Sequence, residues 1–217
     1  PAAGMGYRMK SYGPKALIKV NQKQTLIERQ IKILRKSYPL SEIFVVIGFE
    51  YEKIISALAK HSVKFIFNPI HEQTNVLYSI GLAIMAASYP EVLIVYGDLV
   101  FNQYAIKNLR GSSKVVVDTN NFFKKEEVGV VLSHNNYVTN MSFGIDTKWA
   151  QIAYLSGKEL NLFKNISTKK ECCHWFGYEG LNYVIENGGR IECYRHKLMK
   201  IFEIDAARDL EKFYKSG

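Results

Sequence analysis

The chain has 217 residues, of which 47% are hydrophobic and 23% charged, a balance typical of one globular domain over residues 1–217 rather than of a disordered or collagen-like chain. Its apolar runs are far shorter than the ~20 residues of a membrane span. The chain has three cysteines, and two of them, Cys172 and Cys173, are neighbours. This number and spacing exclude a disulfide framework or a Cys-based zinc site and indicate a reducing, cytoplasmic compartment. The net charge of +9 suits nucleic acid, anionic lipid or polyphosphate, but the basic residues are dispersed and no RNA-reading aromatic motif occurs, so we expect no nucleic-acid partner.

Apolar runs of strand length alternate with amphipathic stretches in the first half of the chain, which is the pattern of βα units around a mainly parallel sheet. Thr25 and Glu28 have the spacing of a capping box and predict a helix that begins there and ends before Pro39. The other elements predicted here are helices over Tyr51–His61 and from Thr74 to about Ser88, and strands over Glu42–Phe49, Val63–Phe67 and Val92–Tyr96.

The pattern changes to β beyond Ser113. Turn residues His134-Asn135-Asn136 between two apolar runs predict a hairpin. The segments 119–127 and 161–174 are polar and predict loops, and no linker divides the chain. The predicted strands are Lys114–Asp118, Val128–Ser133, Tyr137–Ile145, Arg190–Tyr194 and Lys200–Ile204, and the predicted helices are Trp149–Leu160, Gly180–Asn187 and Ala206–Tyr214.

The sequence opens with a loop of small residues, Pro1-Ala2-Ala3-Gly4-Met5-Gly6, followed by Arg8 and Lys15. Small residues let backbone N–H groups approach a polyphosphate, and the two cations add charged contacts to its oxygens. A Walker loop would end in Gly-Lys-Ser/Thr and a dinucleotide fingerprint would have glycine in place of Met9, so neither fits. Because such loops follow the carboxyl end of a strand, we expect a buried strand upstream of Pro1.

The same string, with Arg8-Met9 and Pro14-Lys15, resembles the signature of nucleotidyltransferases of the sugar-nucleotide pyrophosphorylase type, roughly Ala-Ala-Gly-x-Gly-x-Arg-Met followed by Pro-Lys. The resemblance covers essentially the whole chain. It implies the three-layer, Rossmann-like α/β fold of nucleotide-diphospho-sugar transferases, with a mainly parallel mixed sheet and a β-hairpin insertion. It also implies that residues 2–6, Arg8 and Lys15 bind the nucleotide, and that both cations act in catalysis. The alternative is a glycine turn with solvated basic residues.

Two aspartates complete the catalytic set that the resemblance implies. Asp98 follows an apolar strand as part of Tyr96-Gly97-Asp98, and Asp205 closes Glu203-Ile204-Asp205. A carboxylate at the carboxyl edge of a strand is well placed to hold Mg²⁺ against phosphate oxygens, and in the resembled family two such aspartates hold the metal, with Mn²⁺ as a possible substitute. The alternatives are a turn residue for Asp98 and a helix cap for Asp205. We expect Asp209 to be structural.

The nucleotide is indicated by the segment Thr74-Asn75-Val76-Leu77-Tyr78-Ser79. It resembles the Thr-Asn-Asn-x-Tyr-Ser segment of cytidylyltransferases that act on phosphocholine or aminoalkyl phosphonates, except that Val76 replaces the second asparagine. The resemblance implies CTP, with Asn75 and Ser79 in contact with its base or ribose. Both residues can equally cap or stabilise the helix that begins here.

Trp175, Tyr178 and Glu179 combine aromatic faces with a carboxylate, which is the chemistry that binds an ammonium group by cation–π attraction. Phosphocholine-type enzymes place an aromatic residue and an acid similarly, so these three residues are the predicted acceptor site. Core packing is the alternative use of the aromatic residues.

These features together predict a Mg²⁺-dependent nucleotidyltransferase that joins CMP from CTP to a phosphocholine-like or aminoalkylphosphonate-like acceptor and releases pyrophosphate. One alternative is a sugar-1-phosphate nucleotidyltransferase that uses another nucleoside triphosphate. A second is a non-catalytic nucleotide-sensing domain on the same fold, which would keep the loop glycines but need neither aspartate.

Overall fold

The computed structural model describes residues 1–4, 13–118, 125–204 and 209. The helices are α1 (Leu26–Ser37), α2 (Tyr51–Ala57), α3 (Val76–Ala86), α4 (Gly157–Ser167) and α5 (Gly177–Glu186). The strands are β1 (Lys19–Asn21), β2 (Gln24–Thr25), β3 (Phe44–Ile47), β4 (Lys64–Phe67), β5 (Glu91–Val95), β6 (Leu99–Phe101), β7 (Lys114–Asp118), β8 (Val128–Leu132), β9 (Val138–Phe143), β10 (Lys148–Ser156), β11 (Glu192–Tyr194) and β12 (Ile201–Glu203). This is the mixed α/β class that the sequence predicts.

Parallel and antiparallel pairs both occur in the sheets. The pairs β3–β4 and β7–β11 are parallel, whereas β10 is antiparallel to β5, β7 and β8. The predicted hairpin is present as the antiparallel pair β8–β9. A separate ribbon joins β6 to β12, and a short one joins β1 to β2.

Consecutive residues of β7 show that the sheet is covered on both faces. Val115 and Val117 pack in a cluster with residues of α3, α4 and α5, while Val116 lies in a second cluster with residues of β6 and β12. Successive side chains of a strand point to opposite faces, so helices cover one face and the β6–β12 ribbon, with part of α1, covers the other. The arrangement is three-layered.

The predicted helix Trp149–Leu160 is wrong, because most of this segment is strand β10. Ala153 and Leu155 pack on the helix-covered face and Ile152 and Tyr154 on the opposite one. A strand buried on both faces has apolar residues at consecutive positions, and this pattern does not distinguish it from a buried helix. The helix follows instead as α4, so the first part of the predicted loop 161–174 is also helical.

The elements of the first half agree more closely with prediction. The capping box of α1 is present: the Glu28 carboxylate accepts the backbone N–H of Thr25 at 2.7 Å, and the Thr25 hydroxyl accepts the N–H of Glu28 at 3.4 Å. Asn75 rather than Thr74 is the N-cap of α3. The ribbon β1–β2 and strand β6 were not predicted, and the predicted helix 206–214 lies, except for Asp209, outside the described residues.

Candidate functional site

Lys15 and Asp98 come together at the carboxyl ends of β3 and β5. Lys15 begins a 3₁₀ turn directly after Pro14, and Asp98 lies in the short connection from β5 to β6. Lys15 Nζ is 3.7 Å from Asp98 Oδ2, and the two side chains are 19% and 23% exposed. A cation and a carboxylate thus lie side by side at this edge of the fold.

Residues 1–3 are held against the same edge by backbone hydrogen bonds. The N–H of Ala2 donates to the Val46 carbonyl at 2.8 Å, and the N–H of Gly97 donates to the Pro1 carbonyl at 3.1 Å. A Cβ at Gly97 would lie 2.5 Å from that carbonyl oxygen, so only glycine permits this approach. Ala3 is buried, and Gly4 is exposed.

Three of the predicted nucleotide-binding residues lie outside the described residues: Met5, Gly6 and Arg8. Asp205 also lies outside them. The preceding residue, Ile204, is described and lies beside Asp98, because the N–H of Ile204 donates to the Asp98 carbonyl at 2.9 Å. This bond extends the β6–β12 ribbon, in which Glu203 pairs with Leu99. Asp209, expected to be structural, has helical backbone.

Tyr96 is a residue of this site that sequence analysis did not select. Its hydroxyl oxygen is buried, and its ring meets the Trp149 ring edge-on at 5.6 Å between centroids. Burial and the negative charge of Asp98 raise the pKa of the Tyr96 hydroxyl, so it stays protonated at any physiological pH. A Cβ at Gly177 would lie 2.2 Å from the hydroxyl oxygen. Tyr96 therefore connects the surroundings of Asp98 with the start of α5.

Asn75 and Ser79 both have partners within the protein. The Asn75 side-chain oxygen accepts the N–H of Val76 at 2.7 Å and caps α3. Ser79 is buried, and its hydroxyl accepts the Asn68 amide at 3.0 Å. The predicted contact of these two residues with a nucleotide base or ribose stays a prediction.

The predicted acceptor residues lie close to the start of α3. The N–H of Asn75 donates to the Cys173 carbonyl at 2.7 Å, and the N–H of Leu77 donates to the Trp175 carbonyl at 3.3 Å. Trp175 itself is partly buried against the core beneath the helices. The structure thus places the predicted acceptor segment beside the predicted nucleotide-binding helix.

Tyr178 is part of a group of partly exposed aromatic rings. It lies 5.6 Å from the Phe143 ring and 6.0 Å from the Phe176 ring between centroids, and those two side chains are 48% and 47% exposed. Glu179 Oε2 accepts the N–H of Phe176 at 2.7 Å and so caps α5. Phe143 and Phe176 were not among the predicted acceptor residues. Phe176 lies in sequence between Trp175 and Tyr178, which were predicted, whereas no sequence signal indicates Phe143.

No group of three or more His, Cys, Asp or Glu side chains in the described ranges is arranged to hold a metal ion. The described oxygen ligand at the Lys15 edge is the Asp98 carboxylate; Asp205, the other predicted ligand, lies outside the described residues. Hard divalent cations prefer oxygen ligands and take part of their coordination from phosphates and water. The donor chemistry therefore fits Mg²⁺ or Mn²⁺. No described helix is long and apolar enough to cross a membrane.

Residues 1–138 match the family described as the MobA-like NTP transferase domain. The chain belongs to this family. The match includes Pro1–Gly4, Lys15 and Asp98, and it confirms the nucleotidyltransferase family that the opening loop predicts.

Relatives of this NTP transferase domain extend the comparison. It is 32% identical over 97 residues to the bifunctional protein GlmU from Solibacter usitatus, a match that spans 45% of this chain and only 21% of that protein. The structure of the CTP:phosphocholine cytidylyltransferase from Streptococcus pneumoniae is similar with a TM-score of 0.79 and 21% identity, covering 99% of this chain and 96% of the other. The structure of the inositol-1-phosphate CTP transferase from T. maritima is similar with a TM-score of 0.78 and 17% identity. This match covers 99% of the chain and 93% of the other protein. At these identities the structural matches establish the fold.

Proposed function

We propose that the chain transfers a nucleotidyl group from a nucleoside triphosphate, with CTP as the first choice, to a small phosphate or phosphonate acceptor. An acceptor oxygen attacks the α-phosphorus, the bond from that phosphorus to the oxygen bridging to the β-phosphate breaks, and pyrophosphate leaves. The observation that carries the proposal is the 3.7 Å approach of Lys15 Nζ to the Asp98 carboxylate, beside a glycine-containing loop of a nucleotidyltransferase family.

Catalysis in this proposal rests on position and charge. The Lys15 ammonium, with Arg8, offsets the negative charge that otherwise repels the acceptor oxygen from the triphosphate. Backbone N–H groups of the loop residues that follow Ala2 bind phosphate oxygens, since the Ala2 N–H itself donates to Val46. Asp98 and Asp205 would hold Mg²⁺ or Mn²⁺, which when bound supplies further positive charge to the phosphates.

The choice of CTP rests on the resemblance of residues 74–79 to cytidylyltransferases. Asn75 uses its side-chain oxygen for the helix cap, which leaves the amide N–H groups as donors toward a base or ribose. Two of the structurally similar proteins are named for their use of CTP, although those likenesses carry only the fold. A sugar-1-phosphate with a different triphosphate is the second candidate; a protein of similar fold is described as a candidate glucose-1-phosphate thymidylyltransferase, although that likeness too carries only the fold.

The proposed acceptor carries an ammonium group at one end. Glu179 supplies a carboxylate, and the ring of Tyr178 lies on the adjacent surface with Phe143 and Phe176. A desolvated ammonium over such rings gains about 0.5–2 kcal/mol from each. Because the Trp175 side chain packs against the core, a role for it at the acceptor site stays a prediction.

Glu179→Gln tests the acceptor site with little structural disturbance, because glutamine keeps a side-chain oxygen that can accept the Phe176 N–H while losing the charge. We expect a higher KM for an amine-bearing acceptor such as phosphocholine and an unchanged KM for the nucleotide. Equal effects on phosphocholine and on a neutral sugar phosphate would contradict the amine site and favour the sugar-phosphate candidate.

A screen of pyrophosphate release tests the reaction itself. Four nucleoside triphosphates would each be combined with phosphocholine, aminoethylphosphonate and a sugar-1-phosphate. We expect the fastest release with CTP and one of the first two acceptors. Nucleotide binding by calorimetry without release from any pair would contradict catalysis and identify a nucleotide-sensing domain.

A further inference from the structure

The turn that connects β11 to β12 carries an exposed leucine among basic residues. Residues 195–200 have the sequence Arg-His-Lys-Leu-Met-Lys, without an acidic residue. Arg195 and Lys197 are exposed, as is Leu198, whose exposed fraction is 50%. Met199 is buried in the cluster that contains residues of β6 and β12. None of the residues assigned to the proposed reaction belongs to this turn.

Hydrogen bonds fix the backbone on both sides of Leu198. The Asn102 side chain donates to the Leu198 carbonyl at 2.8 Å, and its oxygen accepts the N–H of Lys200 at 3.2 Å. The N–H of Leu198 donates to His196 Nδ1 at 3.1 Å, and the N–H of Met199 donates to the His196 carbonyl at 2.9 Å. The leucine is therefore held at the surface by an ordered turn whose next residue is anchored in the core.

The connection from β6 to β7 adds a ring and a cation to the same surface. The Tyr104 ring stacks on the His196 ring with 4.7 Å between centroids, and Lys107 Nζ lies 5.6 Å from the Tyr104 centroid. Lys107 is exposed. Like the turn itself, the segment Leu99–Arg110 contains no acidic residue.

The positive charge of this surface is not balanced by ion pairs. Lys107, Arg195 and Lys197 form no ion pair with any residue in the described ranges. Glu192, which precedes the turn in sequence, lies instead 3.8 Å from Lys114. We call the following residues the basic turn surface: Tyr104, Lys107, Arg195, Lys197 and Leu198.

An anionic phospholipid bilayer matches both properties of the basic turn surface. Its headgroups attract lysine and arginine, and the acyl boundary just below them accepts an apolar side chain. The phosphates of a nucleic acid would satisfy the cations but offer no apolar layer to an aliphatic side chain such as Leu198. Charge and exposed leucine together therefore favour the bilayer.

We propose that the basic turn surface binds the anionic surface of a phospholipid bilayer. Lys107, Arg195 and Lys197 contact headgroup phosphates, and Leu198 inserts between them at the acyl boundary. The protein remains peripheral, because a single turn enters the interface. The proposal does not depend on the proposed reaction, since the two use different residues.

Co-sedimentation of the whole protein with vesicles tests the proposal. One set of vesicles contains equal parts of phosphatidylglycerol and phosphatidylcholine, and the other contains phosphatidylcholine alone. We expect binding to the anionic vesicles to be at least about tenfold tighter than to the neutral ones, and to weaken with added salt. Equal binding to the two sets, or binding to neither, would overturn the proposal.

Substitutions locate the contact and separate lipid insertion from attraction by charge alone. Lys107→Gln, Arg195→Gln and Lys197→Gln should each lower the affinity for anionic vesicles about fivefold. Leu198→Asn should weaken binding as well, although it leaves the charge unchanged. Full affinity in Leu198→Asn would overturn the insertion of this side chain, and full affinity in the three charge variants would overturn the assigned surface.

Matched controls lie outside the basic turn surface. Lys169 and Lys170 are exposed and follow α4, and Met85 is 55% exposed on α3; both helices cover the opposite face of the sheet. Lys169→Gln, Lys170→Gln and Met85→Asn should bind vesicles as the wild type does, and equal losses in these variants would contradict the assignment. A DNA duplex offered in the same buffer distinguishes the other polyanion: loss of DNA binding in the charge variants, without vesicle binding by the wild type, would refute the bilayer as partner.

Discussion

Lys15→Ala tests whether Lys15 contributes to catalysis or to stability. Lys15 Nζ is 3.7 Å from Asp98 Oδ2, a distance at which Coulomb's law with an effective dielectric constant of about 20 gives about 4.5 kcal/mol. Desolvation of both groups opposes this attraction, and about a fifth of each side chain is exposed to water. The net contribution to the free energy of unfolding is therefore about 1 kcal/mol.

A loss of this size lowers the Tm of a protein of this length by only about 2–4 °C. In the proposed reaction the effect on catalysis is larger, because the Lys15 ammonium would face the negative charge that develops on the phosphates toward the transition state. Loss of one preorganised charge-stabilising donor slows catalysis by about 10²–10³-fold. We expect kcat to fall by this factor in Lys15→Ala, with partial recovery in Lys15→Arg.

Pyrophosphate release at saturating nucleotide measures kcat, and thermal unfolding in the same buffer measures the Tm. Lys64→Ala is the matched control, since Lys64 forms an exposed ion pair with Glu42 at the amino end of β4, away from the carboxyl ends where Lys15 lies. It should keep full activity. Unchanged pyrophosphate release in Lys15→Ala would remove this lysine from the mechanism, and a Tm loss far above 4 °C would show that its role is structural.

Three further predictions concern the rest of the molecule. Gly177→Ala brings a methyl group to 2.2 Å from the Tyr96 hydroxyl and should cost about 1–3 kcal/mol in urea unfolding; a neutral result would show that the two groups can separate freely. The Thr25 N–H and hydroxyl hold the pKa of Glu28 below its ordinary 4.5, so Glu28→Gln should lower stability above pH 4.5, and the difference from wild type should vanish as the pH falls through the lowered pKa. Stability curves that stay apart in strong acid would contradict that assignment. EDTA should abolish pyrophosphate release without lowering the Tm, and added Mg²⁺ or Mn²⁺ should restore it; full activity in EDTA would exclude the metal site.

Local chemistry explains which parts of the fold could be predicted from the sequence. Thr25 and Glu28 begin α1 as predicted because a capping box is complete within four residues. The hairpin β8–β9 is likewise specified by adjacent turn residues. Strand β10 was mistaken for a helix because its character depends on β5, β7 and β8, which cover its edges from distant parts of the sequence.

The site shows the same division between local and distant information. Lys15 and Asp98 are predicted from the sequence because each stands in a short motif, and the fold places Lys15 Nζ 3.7 Å from Asp98 Oδ2. Tyr96 was missed because a tyrosine at the end of an apolar strand is typical of a core residue. Only the tertiary structure shows that the Tyr96 hydroxyl lies beside Gly177 at the start of α5.

The origin of the bridging oxygen in the product tests the proposed reaction most directly. The acceptor with the fastest pyrophosphate release would be labelled with ¹⁸O on its phosphate or phosphonate group and converted with CTP, and the products followed by ³¹P NMR. Attack by the acceptor on the α-phosphorus predicts a CMP–acceptor product that retains the label and an equal amount of unlabelled pyrophosphate. Label in the pyrophosphate, or free CMP formed without consumption of the acceptor, would contradict nucleotidyl transfer by this protein.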